Sequence, residues 1–188
     1  MTRRFLDTLR NTANVLLADN TNRDISPSDV RNIIIDTIDS TVQDEGEIFS
    51  TSPTAGVVLT GTFSSLTAIY AAGGSDGGGF INTDFAAGTI VGSSTAGFSY
   101  TVRAYVTVNT SNNEEVEFAI GIDGVEDPFF ATLTGNGTRN QSVSVGAFDR
   151  SASSGAVYTL MARAVDGSAT ITVDSVRLVV VIQPTNNP

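Results

Sequence analysis

The sequence predicts a mainly β protein, a sandwich or barrel, opened by a short helical segment. Three observations carry this reading. From Phe98 onward apolar and polar residues alternate at the two-residue period of half-buried strands, and turn-forming groups separate these runs at short intervals. One stretch near the start, "ISPSDVRNIIIDTID", carries stacked helix signals instead.

In that stretch Ser26 suits the N-cap, Pro27 the first helical position, and Asp29 can close a capping box; Ile25 and Val30 occupy the positions of a hydrophobic staple. Val30, Ile33, Ile34, Ile35, Ile38 and Val42 then spread over an arc of roughly 200°, about twice what a surface helix needs. Such a helix requires cover on more than one side, from a second subunit or a docking surface. Before it, Phe5, Leu6 and Leu9 suggest a short amphipathic turn, and "NVLLADN" an apolar segment ending in a turn. After it, "DSTVQDEGE" reads as a solvated acidic linker, because Asp39, Asp44, Glu45 and Glu47 match no calcium-loop spacing. The expected division is therefore a helical module over residues 1–49 and a β domain over 50–188.

Residues 50 to 97 are rich in Ser, Thr and Gly. "GVVLTGTF", "LTAIYAA" and "GTIVG" have strand length, and "AAGGSDGGGF" reads as a mobile loop, lacking the Lys-Ser/Thr ending of a phosphate cradle. Phe98, Tyr100, Val102, Ala104, Val106 and Val108 then line one face of a strand whose other face holds Ser99, Thr101, Arg103, Tyr105 and Thr107. Val116, Phe118, Ile120 and Ile122 repeat the pattern against Glu115 and Glu117, ending at the hairpin signal Asp123-Gly124. Further strands follow in "PFFATLT", "QSVSVGAF", "AVYTLMARAV" and "SATITVDSVRLVVVIQ". In the last, Ile171 and Val173 lie at odd positions but Val176, Leu178, Val180 and Ile182 at even ones, which places a bulge or corner at Asp174-Ser175. Val179 and Val181 make its second face apolar too, an arrangement that calls for burial against another subunit.

Composition narrows the chemistry. Among 188 residues there is no cysteine, histidine or tryptophan, and all ten basic residues are arginine. Thiol, Ser-His-Asp, Ser-Lys and Schiff-base catalysis each lack an essential member, as does a zinc site built from Cys or His. A formal charge of −10 with scattered arginines argues against a nucleic-acid partner. The longest apolar run is "LVVVI", far short of the ~20 residues of a membrane-spanning helix, and "MTRRFLDTLR" is polar and periodic, unlike a secretory signal. The expectation is a soluble protein made inside the cell, with no membrane partner and no cofactor.

Two family likenesses emerge from these residues. "LLADNTNRDISPSDVRNIIIDTID" resembles the opening module of many tailed-phage virion proteins, in which a polar turn leads into Ser-Pro and a helix. The run from "FSYTVRAYVTV" through "FAIGIDG" and "NQSVSVGAF" to "YTLMARAVDGSATITVDSVRLVVVI" resembles the jelly-roll modules of the tumour-necrosis-factor and complement-C1q type found in phage head-decoration proteins and fibres. Where such modules often show a Gly-Asp pair, this chain has "SSGAVYTL". The resemblance implies a jelly-roll β-sandwich, a homotrimer about a threefold axis, and the last strand in the inner sheet.

The function expected from this is a virion structural protein, a capsid decoration or cement protein made in the host cytoplasm and placed on the outer capsid surface. Its partners would be two further copies of itself and the major capsid protein or another virion protein. The interface residues expected are Arg3, Arg4, Phe5, Leu6, Leu9 and Arg10 at the terminus, Ile33, Ile34, Ile35 and Ile38 on the helix, and Val179 and Val181 on the last strand. The alternative within the class is a head or tail fibre module that binds a host receptor or glycan, with Tyr105 as an outward aromatic. An enzyme reading would need a carboxylate pair among Asp123, Glu126 and Asp127, and those residues are better explained as turn and loop charges, with a weak calcium site as a lesser use.

Overall fold

In the computed structural model the chain divides into two compact units, Met1–Gln43 with Gln183–Pro188, and Asp44–Ile182. The structure describes residues 26, 30–34, 44–51, 56–70, 73–77, 81–84, 86–93, 98–137, 139–149 and 154–184. In the first unit residues 30–34 are helical, and the Val30 amide donates to the Ser26 carbonyl at 3.4 Å, the first turn expected of a helix capped at Ser26. Pro27, Asp29, Ile25 and Val42, and with them the capping box and the staple, lie outside the described residues.

The second unit holds the strands β1 (Asp44–Ser50), β2 (Val57–Thr60), β3 (Ser64–Ser65), β4 (Gly73–Gly77), β5 (Asn82–Asp84), β6 (Thr89–Val91), β7 (Phe98–Thr110), β8 (Glu115–Ile122), β9 (Val125–Thr134), β10 (Gln141–Asp149), β11 (Val157–Ala164) and, through Ile182, β12 (Ser168–Pro184). They form two six-stranded antiparallel sheets. Sheet I runs β10-β7-β12-β1-β4 with β2 also on β12; sheet II runs β5-β6-β11-β8-β9 with β3 also on β11. Eight of these strands pair as a nested set: β1 with β12, β6 with β11, β7 with β10, β8 with β9. One long hairpin wound around a barrel axis gives this pairing, so the fold is a jelly-roll β-sandwich. Its core is the space between the sheets, filled by Tyr100, Phe118, Ile120, Leu160, Ile171 and Leu178, each at most 1% exposed.

In β7 the alternation read from the sequence is observed from Thr101 onward, whereas β8 is buried on both faces from Val116 to Gly121. Val102, Ala104, Val106 and Val108 are buried, while Arg103 and Tyr105 on the opposite face are exposed. Asp123 and Gly124 both adopt positive φ (52° and 81°), the left-handed pair that a two-residue hairpin of matching twist requires. The register of β12 changes where its parity slips. Residues Ser168 to Ile171 pair with β2, Val176 to Ile182 pair with β1, and between them Asp174 and Ser175 are half-buried.

Three local expectations are corrected. The acidic "linker" from Asp44 to Glu47 is the first half of β1, which lies between β12 and β4, so the β unit begins at Asp44 rather than Ser50. The stretch read as a mobile loop contains β4, paired with β1 from Gly73↔Ser50 to Gly77↔Gly46. Glycine is needed there because the Phe49 ring lies over the strand: a Cβ on Gly74 would sit 2.9 Å from Phe49 Cζ. "LTAIYAA" is a 3-10 turn, Thr67–Tyr70, not a strand; Leu66, Ile69 and Tyr70 are buried at helical spacing.

Three buried tyrosines set an alkaline limit on this fold. The rings of Tyr100 and Tyr158 pack 5.3 Å apart; the Ser93 amide donates to the Tyr100 hydroxyl at 2.8 Å, and the Tyr158 hydroxyl donates to Asp149 Oδ2 at 3.1 Å. Burial raises the hydroxyl pKa of Tyr70, Tyr100 and Tyr158, and the Asp149 charge adds to the rise at Tyr158. The native state therefore holds these protons more tightly than the unfolded chain does. The resulting stability is complete below the unfolded tyrosine pKa of about 10 and is lost as pH rises beyond it. The urea midpoint should fall above about pH 10, with tyrosinate absorbance rising together with unfolding; a midpoint that stays constant to about pH 12 contradicts this.

Candidate assembly face

Parity along each strand decides which side chains leave the core, and cross-strand register decides which of them meet. On sheet I the outward set is Thr101, Arg103, Tyr105 and Thr107 from β7, Arg177, Val179 and Val181 from β12, Glu45, Glu47 and Phe49 from β1, with Ser142, Ser144 and Phe148 from the edge strand β10. Tyr105 stands opposite Ser144, Phe49 opposite Arg177, Val179 opposite Glu47, and Val181 opposite Glu45. Asp76 on β4 continues the Glu47 row.

Polar contacts fix the middle of this face. Arg177 Nε donates to Glu47 Oε2 at 2.8 Å and Nη2 reaches the same oxygen, a diagonal pair across β12 and β1. Hydrogen bonding and the charge of Glu47 push the Arg177 pKa up. Thr107 and Ser142 hydroxyls meet at 3.0 Å. Beside the bend at Asp174-Ser175 a depression of about 630 Å³ opens, lined by Glu47, Phe49, Tyr105, Ser142, Ser144 and Arg177 among others. A smaller one of about 210 Å³ lies on the other side of Tyr105, against Arg103 and Gly146. Tyr105 is thus a wall between two hollows and remains 44% exposed, with Phe148 at 48% on the neighbouring edge strand.

Charge is divided across the face. Arg103 and Arg177 lie on β7 and β12, whereas Glu45, Glu47 and Asp76 lie on β1 and β4. With half-buried Val179 and Val181 between them, the arrangement is suited to holding a partner by apolar contact with charges in register.

Of the interface residues expected from the sequence, Val179 and Val181 lie on this face. Ile33 is half-buried and Ile34 is 53% exposed on the helical turn of the first unit. Arg3, Arg4, Phe5, Leu6, Leu9, Arg10, Ile35 and Ile38 lie outside the described residues. Sequence reasoning missed Glu47, Phe49 and Arg177; their signal was the strict alternation Glu45, Glu47, Phe49, hidden by Gly46 and Ser50 at inward positions.

Two of the three acids considered for catalysis, Asp123 and Asp127, are engaged with backbone. Asp123 Oδ1 accepts from the Val157 amide at 2.8 Å, and Asp127 Oδ1 accepts from the Phe129 amide at 2.9 Å. Among the described residues no group of three His, Cys, Asp or Glu side chains could hold a metal ion, and no helix is long and apolar enough to cross a membrane.

No family model and no curated protein sequence matches the chain. Among solved structures it is similar to the vertex protein P5 of PRD1, at 11% identity and a TM-score of 0.44, over 76% of this chain and 97% of that one. It is similar to the Eiger TNF of S. frugiperda, at 12% identity and a TM-score of 0.44, over 78% and 96% of the two chains. A family 35 carbohydrate-binding module from an environmental isolate is similar at 19% identity and a TM-score of 0.29, over 77% and 98%.

Proposed function

We propose that this is a virion structural protein, and within that class a decoration protein that binds and stabilises a phage head shell as a homotrimer. The observation that carries the reading is the outer face of sheet I. It is apolar at Val179, Val181, Tyr105 and Phe148, and with Arg177 and Glu47 paired to each other its remaining charges are Arg103 on β7 against Glu45 on β1 and Asp76 on β4. A face split by charge is complementary to a rotated copy of itself, which suits both an isologous pair and a closed ring of head-to-tail contacts. The threefold comes from the resemblance of the strand pattern to trimeric jelly rolls, and the attachment role of residues 1–43 from the resemblance of their sequence to virion opening modules.

In this reading decoration is a matter of buried area rather than chemistry. Phe5, Leu6 and Leu9 pack against the shell and supply the affinity. Arg3, Arg4 and Arg10, opposed within the first ten residues by Asp7 alone, meet carboxylates on the shell. Exposed ion pairs are worth about 0–1 kcal/mol each, so they set register and association rate.

The purified protein should therefore scatter light as a trimer at micromolar concentration and bind shells that lack it. Leu9→Asp should nearly abolish binding, while replacing Arg3, Arg4 and Arg10 together should slow it and flatten its salt dependence. A monomer that binds no shell, or equal small effects of the two changes, would remove the reading.

A further inference from the structure

The outer face of sheet II carries a second, separate arrangement. Arg163 on β11 packs against two adjoining phenyl rings, its guanidinium carbon 4.7 Å from the centroid of Phe63 and 5.8 Å from that of Phe130. The rings are 6.3 Å apart and tilted by 50°. Directly across on β8, Glu117 accepts from Arg163 Nε at 2.6 Å and is only 8% exposed, whereas the arginine side chain keeps 35% exposure. Among the described residues nothing else accepts from this guanidinium, and its Nη groups are left for a ligand. The floor beside it is low because Ala119 stands between Phe130 and Met161 in register.

Phe130 belongs to a rigid rim. The β8–β9 register shifts between Ala119 and Gly121, and in that bulge the Phe129 amide is tied to Asp127, leaving Phe129 75% and Phe130 48% exposed. Stacking and the Glu117 bond have already removed the rotamer freedom that a surface arginine loses on binding a ligand. A guanidinium held by one edge offers the other to a carboxylate in two-point fashion. The phenyl rim beside it suits a ring presenting C–H groups. Glu117 cancels the arginine's charge, and Glu126 and Asp127 lie along the same edge strand, which disfavours densely charged polyanions such as nucleic acid.

We propose that Phe63, Arg163 and Phe130 form a binding slot for a sugar carrying one carboxylate, of the hexuronic acid type. The slot is on the sheet opposite the assembly face, so it stays open when sheet I is covered and does not depend on the oligomer. The test is amide chemical-shift titration of the full-length protein with methyl glucuronide and, as the neutral isostere, methyl glucoside. The glucuronide should shift amides of β9 and β11 and bind at least about tenfold more tightly than the glucoside. Arg163→Lys, which keeps the charge but loses the fork, should weaken the glucuronide by about tenfold or more, and Phe130→Leu should weaken both sugars. Unfolding temperatures of both variants separate loss of the site from loss of fold. Equal binding of the two sugars, no shifts with the native protein, or native-like binding by Arg163→Lys overturns the proposal. So does a response to a short acidic peptide but not to the glucuronide, which assigns the slot to a protein contact.

Discussion

A chain beginning at Ser50 should fail to fold, whereas one beginning at Gln43 should fold cooperatively. The difference is strand β1. It pairs with β12 along its whole length and with β4 from Gly46 to Ser50, so removing it strips an interior strand from sheet I and leaves β4 without a neighbour. It also removes Ile48, which is fully buried between the sheets. Loss of such a side chain costs about 2–5 kcal/mol, and each ladder bond lost adds about 1 kcal/mol, against a total stability of about 5–15 kcal/mol for a domain of this kind. Circular dichroism during urea unfolding checks this: a sigmoidal transition is expected from the Gln43 chain and none from the Ser50 chain. Cooperative unfolding of both would mean that β1 is an accessory strand. The Gln43 chain also tests the attachment role, since it should retain the fold while losing affinity for shells.

The same strand shows how far the sequence could be read. The second half of the jelly roll was legible because its inward residues are large and its outward ones polar, so period two is visible in β7, β8 and β12, and the parity slip located the bend at Asp174-Ser175. In β1 the period is equally strict, yet the inward positions hold Gly46, Ile48 and Ser50 and the outward ones Glu45, Glu47 and Phe49. Apolar content then points the wrong way, and the acids resemble a linker. Gly46 is small because Ile81 fills the space its side chain would need. β4, "GGSDG", has no apolar residue at all and takes its place from pairing with β1. The Phe63–Arg163–Phe130 cluster was hidden for another reason: single-strand patterns say which side chains point outward, not which strand lies alongside. Glu117 was correctly outward by parity, and only the β8–β11 register shows that it lies across from Arg163 and is buried by it.

Val181→Glu should turn the proposed trimer into a folded monomer. In the single chain Val181 is half-buried on the outer face of sheet I with Glu45 directly opposite, so a glutamate there keeps part of its water and costs the fold on the order of 1 kcal/mol. In the proposed trimer the same carboxylate is taken out of water opposite Glu45. Taking an unpaired charge out of water at an interface costs several kcal/mol, and the proposed closed ring incurs that cost at each of its contacts. Each 1.4 kcal/mol is tenfold in affinity, so dissociation at micromolar concentration is expected. Light scattering should report a single chain, the strand signal in circular dichroism should be unchanged, and the unfolding temperature should cease to depend on protein concentration. Val125→Glu is the control: that valine is 66% exposed at the start of β9 in the other sheet, and the change should leave the oligomer intact. If Val181→Glu unfolds the protein, the face belongs to the monomer's own packing. If it remains oligomeric, the subunits meet elsewhere, and the divided charge of sheet I faces something other than a copy of itself.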